Sequence, residues 1–230
     1  MLILGFQKMT LLDYPNKVAA TVFTGGCNFR CPFCHNALLV TEIDKSSAYS
    51  SDEIISFLKT RKGLLDGVCI TGGEPLLQPD IADFMKKIKD LGFLLKLDTN
   101  GSFPEKLKEI VGEGLVDYVA MDVKNSAEKY GATIGIDNYD LSAVEQSLDF
   151  LLEGKVDFEF RTTVVKQFHT VEDIDKTARR IAGAPRYFLQ NFTDSGNLIG
   201  EGLEPVSRET LDEMLSAAKK TIPSASLRGV

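Results

Sequence analysis

A strand–helix alternation that recurs six times constrains the fold of this chain more than any other feature. Apolar runs predict strands at 18–23, 68–71, 94–98, 118–123, 158–165 and 187–189. Segments with apolar residues at helical spacing predict helices at 51–62, 79–91, 104–111, 142–152, 171–181 and 208–220. Because parallel neighbours need a crossover connection, six such units predict a parallel α/β sheet. Two folds have this pattern: a barrel or partial barrel, in which the sheet is rolled up, and a doubly wound fold, in which the sheet is flat.

Length and charge narrow the class of protein. The 230 residues fit one domain, with 1–17 as an N-terminal hairpin or cover and 18–220 as the sheet and its helices. The stretch 124–139 is the longest irregular segment and predicts a rim loop or a partner-facing lid. A net charge of −7, with lysines spread among acids, gives a nucleic-acid partner no electrostatic support. The chain opens without a basic signal-like region and lacks an apolar stretch of membrane-spanning length, so we expect a cytoplasmic protein without a membrane partner.

Three cysteines in one short loop are the strongest chemical signal. Cys27, Cys31 and Cys34 have the spacing C-x3-C-x2-C, and three thiolates can hold an iron–sulfur cube while leaving its fourth iron without a protein ligand. A zinc site that adds His35 and a dithiol redox pair of Cys31 and Cys34 are the alternatives. Cys69, the remaining cysteine, lies mid-strand and is expected to be a small buried residue.

Polar residues and glycines follow successive predicted strands, where the carboxyl ends of parallel strands converge. They are Thr71-Gly72-Gly73-Glu74-Pro75, Asp98-Thr99-Asn100-Gly101, Met121-Asp122-Val123-Lys124, Arg161 within the fifth strand and Gln190-Asn191 at the sixth. Lys124 and Arg161 are suited to pairing with a carboxylate, although a structural ion pair inside the barrel is an alternative for Arg161. Their joint placement on one rim with the cysteines predicts an active site.

The other rim residues have chemical roles available to them. Gly72 and Gly73 allow backbone to approach a ligand closely, because no Cβ intervenes. Glu74 can accept hydrogen bonds from an ammonium group. Asp98 and Asp122, on neighbouring strands, can bind a small cation or a ligand hydroxyl, and turn caps are the alternative for both.

The sequence resembles the radical S-adenosylmethionine (SAM) superfamily. The resemblance rests on Cys27, Cys31 and Cys34, on the segment 72–75, and on the strand–helix alternation along nearly the whole chain. It implies a partial (β/α)6 TIM-like barrel, one [4Fe-4S] cluster on the three cysteines, and SAM on the fourth iron. It also implies that SAM is cleaved to a 5′-deoxyadenosyl radical, which abstracts hydrogen; the cofactor supplies this chemistry and the protein positions it.

Within the superfamily, Cys34-His35-Asn36, the segment 98–101 and the segment 122–124 look like glycyl-radical-enzyme activating enzymes. This resemblance implies the following contacts with SAM: Phe33, Cys34 and His35 near the cluster; Gly72, Gly73 and Glu74 at the amino group; Asp122 and Lys124 at the methionine end; Arg161 near the carboxylate; and Thr99 and Asn100 beside them. Asp98 and Asp122 match acids that hold a monovalent cation in pyruvate formate-lyase activase. Asn191 is the candidate adenosyl contact where activases have a histidine, and His169, without a matching role, is expected on the surface.

The opening segment 5–15 and the segment 29–36 look most like anaerobic ribonucleoside-triphosphate reductase activating proteins. The implied partners are the large subunit of that reductase, which carries the target glycine, and a flavodoxin or ferredoxin as electron donor. Three alternatives remain: an activase of pyruvate formate-lyase or another glycyl radical enzyme, a radical SAM enzyme acting on a small molecule, such as 7-carboxy-7-deazaguanine synthase, and a metal-binding or redox module without SAM.

Overall fold

A single mixed sheet forms the centre of the fold in a computed structural model that describes residues 1–229. Its strands are β1 Ile3–Thr10, β2 Ala19–Thr24, β3 Gly67–Gly72, β4 Leu94–Thr99, β5 Tyr118–Asp122, β6 Asp157–Val164, β7 Tyr187–Asn191 and β8 Ser226–Arg228. The helices are α1 Ala37–Thr41, α2 Ser51–Lys59, α3 Ile81–Asp90, α4 Pro104–Gly112, α5 Tyr130–Ile134, α6 Ser142–Leu152, α7 Val171–Arg180 and α8 Arg208–Lys219. The six predicted strands and six predicted helices are all present.

The strands lie in the sheet in the order in which they occur along the chain. β2 to β8 run parallel, each hydrogen-bonded to the next, and β1 pairs antiparallel with β2 at one edge. Within residues 1–229, β1 and β8 form the two edges and do not pair with each other. The result is an unclosed, parallel-dominated barrel, which confirms the predicted partial barrel over the flat alternative.

Alternation along the strands separates an apolar layer from a polar barrel interior. Leu95 and Leu97 of β4 are fully buried in the main hydrophobic core, which the helices cover. Lys96 and Asp98 alternate with these leucines along the strand, so they point to the opposite face of the sheet. There they form ion pairs, the latter with Arg161 of β6. The inside of this barrel is therefore charged, unlike the branched aliphatic filling typical of closed barrels.

Local side-chain signals explain where several helices begin. Ser50 and Glu53 form a reciprocal capping box at the start of α2, and Thr170 and Asp173 form another at the start of α7. The N-cap of α2 is therefore Ser50, directly before the first residue of the predicted helix. α4 begins at Pro104, where the missing proline N–H costs no helical hydrogen bond.

The structure contains elements that the sequence pattern did not predict. Segment 124–139 is not irregular, because it holds a 3-10 turn at 127–129 and helix α5. The N-terminal segment supplies β1, an edge strand of the main sheet rather than a separate cover. α1 and β8 were also missed; all of these pieces are too short or too irregular to show a clear hydrophobic period. Among residues 1–229, no helix combines the length and apolar character needed to cross a bilayer.

Candidate active site

A cavity of about 230 Å³ opens at the carboxyl ends of the strands. The predicted site residues that line it are Cys27, Cys31, Phe33, Cys34, His35, Gly72, Gly73, Asp98, Thr99, Asn100, Asp122, Lys124 and Arg161. Phe29, Asn36, Val40, Thr71, Thr163 and Gln190 complete the lining. Thr71 and Gln190 belong to the predicted rim, although none of these six residues was predicted to contact SAM or the cluster. The strand-end signals therefore converge on one cavity, as expected for the rim of parallel strands.

The cysteine loop is held by hydrogen bonds from elements that are distant in sequence. The backbone N–H of Arg30 donates to the carbonyl of Ile134 at the end of α5 (2.9 Å), and the N–H of Gly26 donates to the carbonyl of Leu39 (2.8 Å). The Asn100 side-chain amide lies 3.7 Å from the Cys27 sulfur. The two backbone hydrogen bonds fix the loop without using its thiols, whereas the Asn100 amide contacts the Cys27 sulfur directly.

The three thiols have the chemistry of a soft-ligand site. Cys31 is buried and Cys27 and Cys34 are half-buried. Burial raises the pKa of all three, and that of Cys31 to about 12, although Lys124 acts in the opposite direction. The thiolate forms therefore need a cationic partner, which a bound metal supplies. Three thiols on one loop at one cavity fit a thiolate-held cluster.

A single-ion site is a different arrangement. Across the described part of the chain, 1–229, no three His, Cys, Asp or Glu side chains converge as ligands of one metal ion. A cluster of several irons takes its thiolates at separate irons, so its ligands do not have to converge on one point.

Gly72 and Gly73 bring β3 against the start of the cysteine loop. A Cβ on Gly73 would lie 1.9 Å from the carbonyl oxygen of Gly26, and a Cβ on Gly72 would lie 2.5 Å from the backbone nitrogen of Thr24. The N–H of Gly73 donates to the Thr24 carbonyl, and that of Glu74 to the Gly26 carbonyl, both at 2.8 Å. Both glycines also line the cavity, so close backbone packing accounts for them alongside the predicted approach to a ligand.

The carboxylate of Glu74 is occupied by groups of the protein itself. It is fully buried and accepts hydrogen bonds from Thr99 Oγ1 (2.8 Å) and the backbone N–H groups of Leu76 (3.0 Å) and Asn100 (2.7 Å). Burial raises its pKa to about 7 against the effect of these donors. The side chain is absent from the described cavity wall. Glu74 thus ties the end of β3 to the end of β4, which differs from its expected contact with the SAM amino group.

Five charged side chains alternate in sign through the barrel interior toward the cavity: Lys96, Asp98, Arg161, Asp122 and Lys124. Arg161 spans both acids, with Nη1 at 3.2 Å from Asp98 Oδ2 and Nε at 2.9 Å from Asp122 Oδ1. Lys96 pairs with Asp98 Oδ1, and Lys124 lies 2.8 Å from Asp122 Oδ2. Burial raises the pKa of each acid, but the neighbouring cations outweigh it and hold both pKa values below their usual range. We call this set the charge ladder.

Arg161 occupies the position between Asp98 and Asp122 where a monovalent cation is expected. All four carboxylate oxygens already accept from cationic side chains, and a guanidinium bridges the two acids. A metal ion held by these oxygens would place a further positive charge beside three existing ones. Side chains of the protein thus satisfy both acids in place of the expected cation.

Of the two histidines, His169 takes a different place from the one expected, whereas His35 lines the cavity as expected. His169 is buried, not on the surface: its Nδ1 accepts from the backbone N–H of Val165 (3.1 Å), so Nε2–H donates to the carbonyl of Lys124 (2.8 Å). Burial lowers its pKa, which favours this neutral form. His169 thereby fixes the backbone of a cavity residue. His35 lines the cavity mouth, where its ring lies 5.9 Å from that of Phe192.

The last predicted contact is displaced by one residue. The Asn191 side chain is engaged with the backbone of Val206, donating to its carbonyl (2.9 Å) and accepting from its N–H (3.1 Å). Gln190 lines the cavity instead. Gln190 pairs in register with Thr163, which also lines the cavity. Strand alternation therefore directs Gln190, and not its neighbour, to the interior. Cys69 is fully buried, as predicted.

Comparison with known proteins assigns the family. Residues 21–181 match the Radical SAM superfamily. The chain belongs to the radical SAM superfamily. Members of this superfamily use a [4Fe-4S] cluster and SAM, and the three thiols at the cavity are the donor set that such a cluster needs.

Several relatives are similar to this chain over most of its length. A protein of Methanocaldococcus jannaschii, provisionally named a glycyl-radical enzyme activating enzyme, is 32% identical over 238 residues, which is 100% of this chain and 96% of the relative. The pyruvate formate-lyase-activating enzyme of Clostridium pasteurianum is 26% identical over 92% of this chain and 95% of its own length. The 7-carboxy-7-deazaguanine synthase of Thermoplasma acidophilum is 29% identical over 64% of this chain and 66% of the relative.

A solved structure of distant sequence shares the fold. SuiB of Streptococcus suis, in its crystal structure with S-adenosylmethionine, matches with a TM-score of 0.71 at 14% identity, over 89% of this chain and 48% of SuiB. The unclosed barrel described above is therefore shared with a structure of distant sequence.

Proposed function

We propose that this protein installs a glycyl radical on a partner enzyme and that the partner is anaerobic ribonucleoside-triphosphate reductase. The observation that carries the activase assignment is the end-to-end similarity to the Methanocaldococcus jannaschii relative, which bears that activity in its name. The narrower choice of reductase rests on the sequence resemblance of the opening segment 5–15 and of the cysteine loop. Residues 1–230 would form one radical SAM domain that works in the cytoplasm, with a flavodoxin or ferredoxin as electron donor.

The cysteine loop is the proposed cluster site. Cys27, Cys31 and Cys34 would hold the [4Fe-4S] cluster, which when bound supplies the electron for reductive cleavage of SAM to a 5′-deoxyadenosyl radical. The buried thiol of Cys31 and the half-buried thiols of its two neighbours all face the cavity. The remaining cysteine is fully buried in β3. A second ferredoxin-type cluster would need about four thiolates, and the sequence holds only one further cysteine.

The cavity wall next to the cysteines is the proposed SAM site. Its polar lining is suited to an amino acid: Lys124 and Arg161 present positive charge to a carboxylate, and the backbone at Gly72 and Gly73 accommodates the amino group. Further proposed contacts are the lining residues Phe33, His35, Thr99, Asn100 and Asp122. A SAM molecule filling the cavity would exclude water from these contacts and so strengthen each of them.

The decisive experiment is direct detection of the glycyl radical on the partner enzyme. Anaerobically reconstituted protein is mixed with SAM, a reductant and the large subunit of an anaerobic ribonucleotide reductase, and electron paramagnetic resonance is recorded. We expect a glycyl radical that requires all components and that changes its hyperfine splitting when the reductase carries α-deuterated glycine. SAM cleavage without a glycyl radical on this reductase, but with one on pyruvate formate-lyase, would replace the partner and keep the activase assignment.

A second candidate follows from the relative that acts in deazaguanine synthesis, whose similarity covers a smaller part of the chain. It predicts that the radical is transferred to a small heterocycle and that no protein radical forms. If 5′-deoxyadenosine production rises with the heterocyclic substrate, and no glycyl radical enzyme yields a signal, this candidate replaces the first.

A further inference from the structure

The charge ladder is the feature of the site that the superfamily assignment does not explain. Lys96 forms its inner end, with a side chain only 2% exposed, and its ammonium lies 3.7 Å from the Cys69 sulfur. Lys124 forms the outer end and lines the cavity. Between them the two acids and Arg161 alternate in sign, so three cations face two anions and the ladder carries one net positive charge.

Burying Lys96 is unfavourable unless its charge is paired. A buried ammonium loses several kcal/mol of hydration, which only a close carboxylate and further hydrogen bonds offset. Burial lowers the pKa of Lys96, but Asp98 and Cys69 outweigh it and hold the pKa above its usual value. Lys96 therefore stays charged, and its ammonium donates to the oxygen of Asp98 that Arg161 does not contact.

Arg161 occupies the position between the two acids. Its guanidinium is planar and presents several donors at fixed angles, which suits it to bridging carboxylates from neighbouring strands. The strands put the acids within its reach, since β5 pairs with both β4 and β6 and Asp122 lies directly opposite Arg161. A metal ion would have to displace this side chain to reach both acids.

We propose that Lys96 and Arg161 take the place of a bound monovalent cation in this protein, and that its SAM site therefore operates without an alkali metal. The two side chains are positioning residues: they neutralise Asp98 and hold Asp122 so that Lys124 faces the cavity. The net positive charge of the ladder then matches the single carboxylate of SAM. This inference rests on the proposed SAM site, but it makes a claim about cation binding that can be measured without radical chemistry.

The same geometry predicts that an alkali-metal site can be created. Truncation in Lys96→Ala leaves one oxygen of Asp98 without its donor, beside a space about the length of a lysine side chain. A potassium or ammonium ion can enter this space and replace the lost charge. Lys96→Met is the matched control, because it removes the charge but fills the space.

The test uses anaerobically reconstituted protein in potassium, sodium, ammonium or tetramethylammonium chloride at equal concentration, so that ionic strength is constant. Melting temperature and 5′-deoxyadenosine formation are both recorded. We expect wild type to give the same values in all four salts. Lys96→Ala should melt lower in tetramethylammonium and recover as potassium or ammonium is added, whereas Lys96→Met should not recover.

Either of two results overturns the proposal. One is a wild-type protein that is stabilised or activated by potassium or sodium relative to tetramethylammonium. The other is a folded Lys96→Ala protein whose melting temperature does not respond to any of the small cations. If Lys96→Ala does not fold, the wild-type salt comparison decides alone. Absence of SAM cleavage in every salt would count against the proposed function, while the melting temperatures would still test the cation inference.

Discussion

Replacing Gly73 with alanine should uncouple the cysteine loop from the sheet. The new Cβ would lie 1.9 Å from the Gly26 carbonyl oxygen, whereas real Cβ contacts essentially never fall below 3.0 Å, so the two backbones must separate by at least 1.1 Å (3.0 − 1.9). Gly26 directly precedes Cys27, so the displacement reaches the first thiol. The same movement strains the hydrogen bond from Gly73 to Thr24 at the end of β2 and the one from Glu74 to Gly26.

The magnitude follows from the size of this shift. A misplacement of about 1 Å at reacting groups can cost on the order of 10²-fold in rate, and overpacking costs about 1–3 kcal/mol of folding free energy. For a chain of this length each kcal/mol lowers the melting temperature by roughly 2–4 °C. We therefore expect Gly73→Ala to make 5′-deoxyadenosine about a hundredfold more slowly than wild type and to melt several degrees lower.

Gly112→Ala is the matched control for this substitution. Gly112 ends α4, and a Cβ there would meet nothing within 4 Å. Alanine is favoured over glycine in helices by up to about 1 kcal/mol, so this variant should be as stable as wild type or more so, with unchanged activity. If Gly73→Ala binds iron, cleaves SAM and melts like wild type, the close approach of the two backbones does not shape the site and the reasoning fails.

Three further predictions concern single side chains. Burial raises the pKa of Glu74 to about 7, so the folded protein favours the protonated side chain more than the unfolded chain does. The stability gained in this way is complete below the unfolded pKa near 4.5 and is lost as pH rises through 7, a loss of roughly 3 kcal/mol. Urea unfolding between about pH 5 and about pH 8 should thus show a steeper loss of stability for wild type than for Glu74→Gln, and parallel profiles would contradict the shift. Cys31→Ala should bind almost no iron and sulfide on anaerobic reconstitution, whereas Cys69→Ala should bind as much as wild type; equal loading of both would remove the cluster assignment. Asn191→Ala should lose about 2 kcal/mol of stability with its two hydrogen bonds and keep its SAM affinity. Gln190→Ala should have near-normal stability and bind SAM more weakly in calorimetry. The reverse pattern would restore Asn191 as the adenosyl contact.

Much of the fold can be predicted from the sequence because its main helices and strands are long and have a regular hydrophobic period. Helix 142–152, for example, was predicted with its observed bounds. The α5 helix was missed because five residues make little more than one turn, and its stability comes from packing rather than from its own pattern. The three-residue β8 is below the length at which alternation can be read.

The site was predictable as a set of rim residues but not as a set of contacts. Strand ends placed Asp98 and Asp122 on neighbouring strands, which was sufficient to expect a shared cation. That their partner is Arg161, two registered strands from Asp98, depends on side-chain geometry across β4, β5 and β6, which no linear pattern encodes. The sequence could have indicated Gln190 instead of Asn191 as the cavity residue, because adjacent residues of a strand point to opposite faces of the sheet.

The hydrogen bond between Arg30 and Ile134 has a consequence for when the protein can be assembled. These residues are more than a hundred positions apart, and the ring of Phe29 beside Arg30 packs 5.3 Å from that of Tyr139 just beyond α5. During synthesis the chain emerges from its N-terminus, so the cysteine loop leaves the ribosome long before the segment that shapes it. The thiols meet their surroundings first as an unsupported loop, and iron and sulfide can find a finished site only after more than half of the protein has been made.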